Sequence, residues 1–191
     1  MTDPNMPRRI VDDYITARHY TPGRAEDVRL VVVHTTESAC APGVARNVAR
    51  WFCGSQAPQA SAHYVVGPDE VISCVDEDDT AWHAPGCNPC AIGIEYTARA
   101  GWSAEDWQSE AAEAMLRRSA DLVADICQRR GIPAVLLTPD ELLAGASGIA
   151  THATVGRAWH RSDHWDPGPA WPGERWLTMV VEAMGAGERG G

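Results

Sequence analysis

The run Val28-Arg29-Leu30-Val31-Val32-Val33, closing on His34-Thr35, constrains this chain more than any other stretch. Its β-branched, nearly unbroken apolar character reads as a buried strand over Val28–Thr35. A histidine at the end of such a strand can reach a groove at the sheet's edge while the strand stays buried. Taken alone, His34 serves equally well as a core histidine.

A second polar cluster changes that balance. Asp163-His164-Trp165-Asp166-Pro167-Gly168-Pro169 closes a stretch that begins at an isolated His152, and its Pro and Gly residues keep it out of helix and sheet. Asp166 precedes Pro167 and is biased to an extended backbone, which keeps its carboxylate from folding back into a helical turn. Neutral imidazole and carboxylate are ligands that Zn²⁺ accepts, and a catalytic zinc takes three protein ligands and leaves one position open. His34, His152 and Asp166 are the three candidates, and the pattern is that of a metallohydrolase.

Between these points the chain alternates short strands and helices. Val44, Val48, Trp51 and Phe52 have the spacing of an amphipathic helix. Residues 62–67 and 70–75 read as two strands of a hairpin around Pro68-Asp69, and Ile92–Tyr96 is a strand with Glu95 near its end. A long helix is expected from an N-cap at Ser103, with Trp107, Ala111, Met115, Leu122 and Ile126 facing the core and Gly131 and Pro133 ending it. Thr138-Pro139-Asp140-Glu141 is a capping-box start, and Trp176, Met179 and Val180 mark a last helix. The expected organisation is a polar lead-in over 1–27, one folded domain over 28–184 and a flexible Gly-rich tail over 185–191.

Composition narrows the function. All 16 basic residues are arginine against 26 acidic ones, for a net charge of −10, which disfavours nucleic acid as a partner. No ammonium group from a lysine is available to catalysis. No apolar stretch approaches the ~20 residues of a membrane span, so membrane insertion is not expected. The polar segment Met1–Asp13 lacks the apolar core of a secretory signal. Six cysteines read as buried free thiols; the Cys87-Asn88-Pro89-Cys90 spacing has no second pair to complete a zinc site, and a structural role, or a disulfide formed after release, fits it better than catalysis.

Six segments occur in an order that resembles the type 2, zinc-dependent N-acetylmuramoyl-L-alanine amidases, which share a fold with peptidoglycan recognition proteins and phage lysozyme-type amidases. They are Val31-Val32-Val33-His34-Thr35-Thr36, Ser61-Ala62-His63-Tyr64-Val65-Val66, Ala81-Trp82-His83-Ala84, Ile92-Gly93-Ile94-Glu95, Thr151-His152 and Asp166-Pro167-Gly168-Pro169. The resemblance implies an α/β fold, a mixed central β-sheet flanked by helices with a surface zinc groove, and makes 28–184 the amidase catalytic domain. It implies Zn²⁺ held by His34, His152 and Asp166, with Glu95 working on the attacking water. His164 stands where many relatives carry lysine, a departure in keeping with a lysine-free chain; Asp163 or His160 is the alternative orienting or donor group.

The implied substrate is the muramyl peptide of peptidoglycan, cut between N-acetylmuramic acid and L-alanine by a monomeric enzyme. The favoured biological form is a phage endolysin, made in the cytoplasm and reaching the wall after holin-type release. A non-catalytic peptidoglycan-binding protein of the same fold and a cytosolic amidase that recycles muropeptides are the alternatives. His63 is expected to be a packed structural histidine, and His83 either lines the groove or packs. Trp165 and Trp171 flank the metal loop as candidate sugar-stacking surfaces.

Overall fold

The apolar strand anticipated from the sequence is β3, Leu30–Thr35, and every one of its residues is buried. Leu30, Val31, Val32 and Val33 have no exposed surface, and burying each contributes roughly 1.5–3 kcal/mol relative to leaving it in water. The computed structural model describes residues 10–187 of the 191.

Seven further strands and five α-helices surround β3. In chain order they are β1 (Asp13–Tyr14), β2 (Tyr20–Thr21), α1 (Val44–Cys53), β4 (Tyr64–Val66), β5 (Val71–Ser73), β6 (Thr80–Ala81), β7 (Ala91–Tyr96), α2 (Glu110–Arg130), α3 (Pro139–Leu143), β8 (Gly148–Thr151), α4 (His152–Trp159) and α5 (Gly173–Gly187). Six strands form one sheet in the order β1-β5-β4-β7-β3-β8, and β2 and β6 pair separately. The β4–β5 hairpin is antiparallel, while β7, β3 and β8 run parallel side by side. This is the mixed central sheet flanked by helices that the resemblance implied.

Alternation along the strands assigns each face. Val31, Val33, Ile92, Ile94 and Tyr96 point to the side covered by α2 and α5, where Trp176 is fully buried and its Nε1–H donates to Ser119 Oγ at 2.8 Å. Leu30, Val32 and Ala91 point the other way, against α3, α4 and the turn holding Cys87 and Cys90. Ala45, Ala49 and Phe52 of α1 cover Val65 and Ile72 farther along that second face. Among the described residues, no helix is long and apolar enough to cross a membrane.

Several local expectations hold and others do not. Gly131 closes α2 in the left-handed conformation (φ 66°), and Thr138 with Glu141 forms both halves of a capping box. The long helix, however, begins at Glu110. Its cap is Ser109, whose side chain accepts from the Ala112 N–H. Ser103 instead lies in the turn before a short 3₁₀ segment, Asp106–Gln108, where its Oγ accepts the Asp106 N–H at 3.2 Å and Trp107 is buried. Both Ser103 and Ser109 precede acidic residues, and the expected cap at Ser103 is displaced six residues along the chain to Ser109.

The apolar stripe of α1 is also divided. Ala45 and Ala49 face the core, whereas Trp51 is 55% exposed. The lead-in contributes to the fold: β1 pairs with β5, and Thr21 Oγ1 accepts the Trp82 Nε1–H at 2.9 Å. At the other end α5 continues through Gly187, and residues 188–191 of the expected tail lie outside the described residues.

A buried carboxylate ties the hairpin region to the end of α2. Glu77 accepts from Arg129 Nη2 (2.9 Å) and Nη1 (3.0 Å), from Arg130 Nε (3.0 Å) and from the Tyr64 hydroxyl (2.7 Å). Burial alone would raise its pKa, but hydrogen bonds from Arg129 and Tyr64 overcome that and pull it down to about 2.

Candidate metal centre and active-site groove

Parallel strands deliver their last residues to one edge of a sheet, and open α/β sheets form binding crevices beyond those carboxyl ends. Here β7, β3 and β8 are neighbours, and their ends supply Glu95, His34 and, one residue into α4, His152. His34 and Glu95 share the face opposite α2. They open into a groove of about 940 Å³ whose walls include Thr36, Trp51, Trp82, Asn88, Arg161 and Trp165.

The third candidate ligand arrives on the loop after α4. Asp166 is 5% exposed, and its Oδ2 accepts the Thr35 N–H at 3.3 Å, which fixes the loop to the end of β3. Gly168 has φ +91°, and a Cβ there would lie 1.9 Å from the Ala100 carbonyl oxygen, so only glycine fits. Gly156 of α4 makes similar room, since a Cβ would come within 2.9 Å of the Ser162 carbonyl.

His34, His152 and Asp166 converge, each with a ligand atom within 4.8 Å of the others. His34 Nδ1 is 3.0 Å from His152 Nδ1 and 3.4 Å from Asp166 Oδ2; His152 Nδ1 is 3.3 Å from Asp166 Oδ1. A tetrahedral ion with metal–ligand bonds of about 2.0–2.2 Å separates its ligands by roughly 3.3–3.6 Å. Two of the three separations, 3.4 and 3.3 Å, lie inside that range and the third, at 3.0 Å, is shorter. This donor set fits a small divalent cation with one position open to the groove.

Glu95 stands beside this cluster with one oxygen, Oε2, buried and without a hydrogen-bond partner. Burial first, then the negative charges of Asp166 and Glu37, push its pKa up to about 8. Asp166 behaves in the opposite way. Burial would raise its pKa, but hydrogen bonds from His152 and His34 hold it well below the usual carboxylate range. Burial likewise lowers the His34 pKa against the opposing pull of Asp166. The two carboxyl groups thus differ in character: Asp166 is a persistent anion, while Glu95 is a carboxyl whose proton is exchangeable near neutrality.

His164 is exposed and lines the groove. Its ring stacks on His152 at a centroid distance of 4.5 Å and an interplanar angle of 12°, and its Nδ1 lies 3.4 Å from Asp166 Oδ1. His160 terminates α4 in the left-handed conformation (φ 53°) and does not line the groove, whereas Asp163 does. Trp165 lines the groove at 55% exposure. Trp171 does not; it packs on Trp176 at 5.4 Å, because the chain turns at Pro172-Gly173 into α5.

His63 is fully buried in the sheet, where its Nδ1 accepts the Gly93 N–H at 2.9 Å, so it is a structural histidine. Cys87 and Cys90 are free, buried thiols, and each Sγ–H donates to a nearby backbone carbonyl. Burial pushes the Cys87 thiol far above its ordinary value, which suits packing and not nucleophilic chemistry.

Sequence reasoning did not name Ser162, and it placed His83 in the groove or the core without foreseeing its contact with His34. Ser162 Oγ lies 3.2 Å from His152 Nε2 and accepts the His164 N–H at 3.2 Å. His83 Nδ1 lies 3.0 Å from His34 Nε2. The available signals were indirect: a serine two residues before His164, and a glycine inside a strand, which marks close approach of another group.

A cluster of two imidazoles and a carboxylate, ready for a cation and flanked by a second carboxyl in an open groove, is the equipment of a hydrolase. The chain belongs to the N-acetylmuramoyl-L-alanine amidase family known as Amidase_2, whose model matches residues 24–169. Its activity is that of a type 2 amidase acting on peptidoglycan.

N-acetylmuramoyl-L-alanine amidase A of Achromobacter lyticus is 28% identical over 163 residues, covering 78% of this chain and 81% of that protein. The crystal structure of Staphylococcus aureus hydrolase AmiA in complex with its ligand superposes with a TM-score of 0.68 at 18% identity, over 97% of this chain and 88% of that one. A mutant endolysin from Bacillus subtilis superposes with a TM-score of 0.58 at 18% identity, over 91% and 99% of the respective chains. At such identities the two structures speak to the fold.

Proposed function

We propose that this amidase is zinc-dependent, that it cuts the amide between N-acetylmuramic acid and L-alanine, and that it works as a phage endolysin. The observation that carries the reading is the 3.0–3.4 Å triangle of His34, His152 and Asp166, set at the floor of an aromatic-walled groove. The likeness to an endolysin in fold supports the biological role. The catalytic unit is taken as residues 28–184, with β1 and β2 joined to it, acting as a monomer on the muramyl peptide without nucleic acid or a membrane as partner.

Zn²⁺ held by these residues would polarise the scissile carbonyl and acidify a water molecule, the two services a catalytic zinc supplies. Around it, the chain's own residues divide the remaining work. Asp166 gives the site a fixed negative charge, and His34 and His152 contribute neutral donors. Glu95 takes a proton from the attacking water and passes it to the departing amine of L-alanine. Burial, and then the charges of Asp166 and Glu37, favour the protonated form of Glu95, and a cation held by His34, His152 and Asp166 would shift Glu95 toward its basic form. His164 donates a hydrogen bond to the oxygen that becomes negative as the amide carbon turns tetrahedral. Its stacking on His152 and its contact with Asp166 hold the ring in place. Trp51, Trp82 and Trp165 offer flat apolar faces for a sugar ring.

The test is digestion of purified peptidoglycan followed by mass spectrometry of the products, with and without a chelator. New L-alanine amino termini that vanish on chelation and return with zinc are expected. Cleavage that persists without metal, or at a different bond, would reject the reading.

A further inference from the structure

We infer that His83 is a positioning residue for the metal centre, holding the His34 ring so that Nδ1 faces His152 and Asp166. This rests on the zinc reading above and adds a residue outside the ligand set.

The tautomers follow from the geometry. His34 Nδ1 is the atom close to both other ligands, at 3.0 and 3.4 Å, so Nδ1 is the donor to a cation. A neutral imidazole that donates its Nδ1 lone pair carries its proton on Nε2. That Nε2 lies 3.0 Å from His83 Nδ1, with the two rings nearly perpendicular at 88°. His34 Nε2–H therefore donates to His83 Nδ1, and the His83 proton sits on its own Nε2. A metal-bound histidine whose second nitrogen is hydrogen-bonded keeps its tautomer and orientation, and losing that partner typically costs 10–100-fold in affinity.

His83 is itself held by features that touch no ligand. Its backbone N–H and that of Ala84 both donate to Asn88 Oδ1, at 3.1 and 2.7 Å, which clamps the turn carrying the ring. The ring lies over Gly93 of β7, where a Cβ would come within 2.5 Å of His83 Cγ. Glycine at this strand position thus creates the slot in which His83 fits. The Gly93 N–H is in turn anchored on His63 Nδ1, so the slot is braced from the neighbouring strand. His83 Nε2 is buried without a hydrogen-bond partner, and the polar groups that face this ring are His34 Nε2 and the Ala91 backbone carbonyl.

The test measures metal binding, not turnover. Zinc affinity is determined by competition with a chromophoric chelator for the wild type, His83→Ala and His83→Asn. His83→Ala is expected to bind zinc 10–100-fold more weakly, while His83→Asn, whose amide oxygen can accept from His34 Nε2–H, recovers most of the loss. Nitrogen NMR of the zinc-loaded wild type is expected to show His83 protonated at Nε2 and bare at Nδ1. A folded His83→Ala protein with wild-type zinc affinity would overturn the inference. So would a proton on His83 Nδ1 in the loaded wild type, a result that stands even where the alanine variant fails to fold. A wild type that binds no zinc defeats the underlying zinc reading instead, which separates the two failures.

Discussion

His34 and Glu95 are register partners across the parallel strands β3 and β7, so one backbone pairing sets a metal ligand beside an acid–base group. Their spacing is therefore fixed by sheet hydrogen bonds and not by the conformation of a loop. A reacting group mounted on a sheet is held more tightly than one on a surface turn.

The first prediction concerns that carboxyl. Glu95→Gln should retain zinc, as measured by elemental analysis, yet lose about 10²–10⁴ in kcat. In the metal-free site Glu95 has its pKa pushed up to about 8, and a cation lowers it from there toward its ordinary value near 4.5. Since the base form is the active one, kcat/KM should rise with pH through an apparent pKa between those limits. An unchanged rate in the glutamine variant would remove Glu95 from the chemistry.

His164→Ala tests the proposed donor. Its kcat should fall by about 10²–10³ with KM changed only a few-fold, because the hydrogen bond strengthens as charge develops on the substrate oxygen. His164→Lys should restore much of the rate, since an ammonium donates to the same oxygen. Steady-state kinetics on a soluble muropeptide would reveal it, and a wild-type kcat in the alanine variant would hand the role to another group.

Glu77 predicts an acid-sensitive fold. Its folded pKa of about 2 lies below its ordinary 4.5, so its contribution is fully present above pH 4.5 and is lost as pH falls toward 2. Arg129 is half-exposed and its interaction is screened, which leaves a contribution on the order of 2 kcal/mol. Thermal melts across that window should show a steep decline in Tm for the wild type and a shallower one for Glu77→Gln. Parallel curves would argue that the network stabilises little.

Gly168→Ala should damage the site without touching a ligand. The new methyl meets the Ala100 carbonyl, and the left-handed φ adds strain, so the loop must shift or the protein lose roughly 1–3 kcal/mol. Denaturant titration and zinc affinity measured together would detect either response. A variant normal in both would show that the loop is more compliant than its packing indicates.

The parts of this molecule legible in its sequence are those where local chemistry and tertiary role coincide. The run ending at His34 is apolar because it is central in the sheet, and Glu95 breaks the apolar pattern of β7 because it faces the groove. Gly131 and Thr138 mark helix boundaries through backbone requirements that no distant contact alters. Other features depend on what lies across space. Trp51 carries the spacing of a core residue, but the core beneath α1 is filled by Ala45, Ala49 and Phe52, so the indole is turned to the groove. Trp171 sits near the metal loop in sequence yet packs behind it. The roles of His83 and Ser162 are defined only by which imidazole nitrogen faces inward, a fact carried by side-chain orientation and not by spacing.

The close seat of Gly168 against Ala100 has a consequence for anyone who would rebuild this enzyme. The segment bearing Asp166 and the connection that leaves β7 share a surface with no slack for one additional carbon. Transplanting either from a relative by itself would misalign the aspartate, so the two must be exchanged as a matched set.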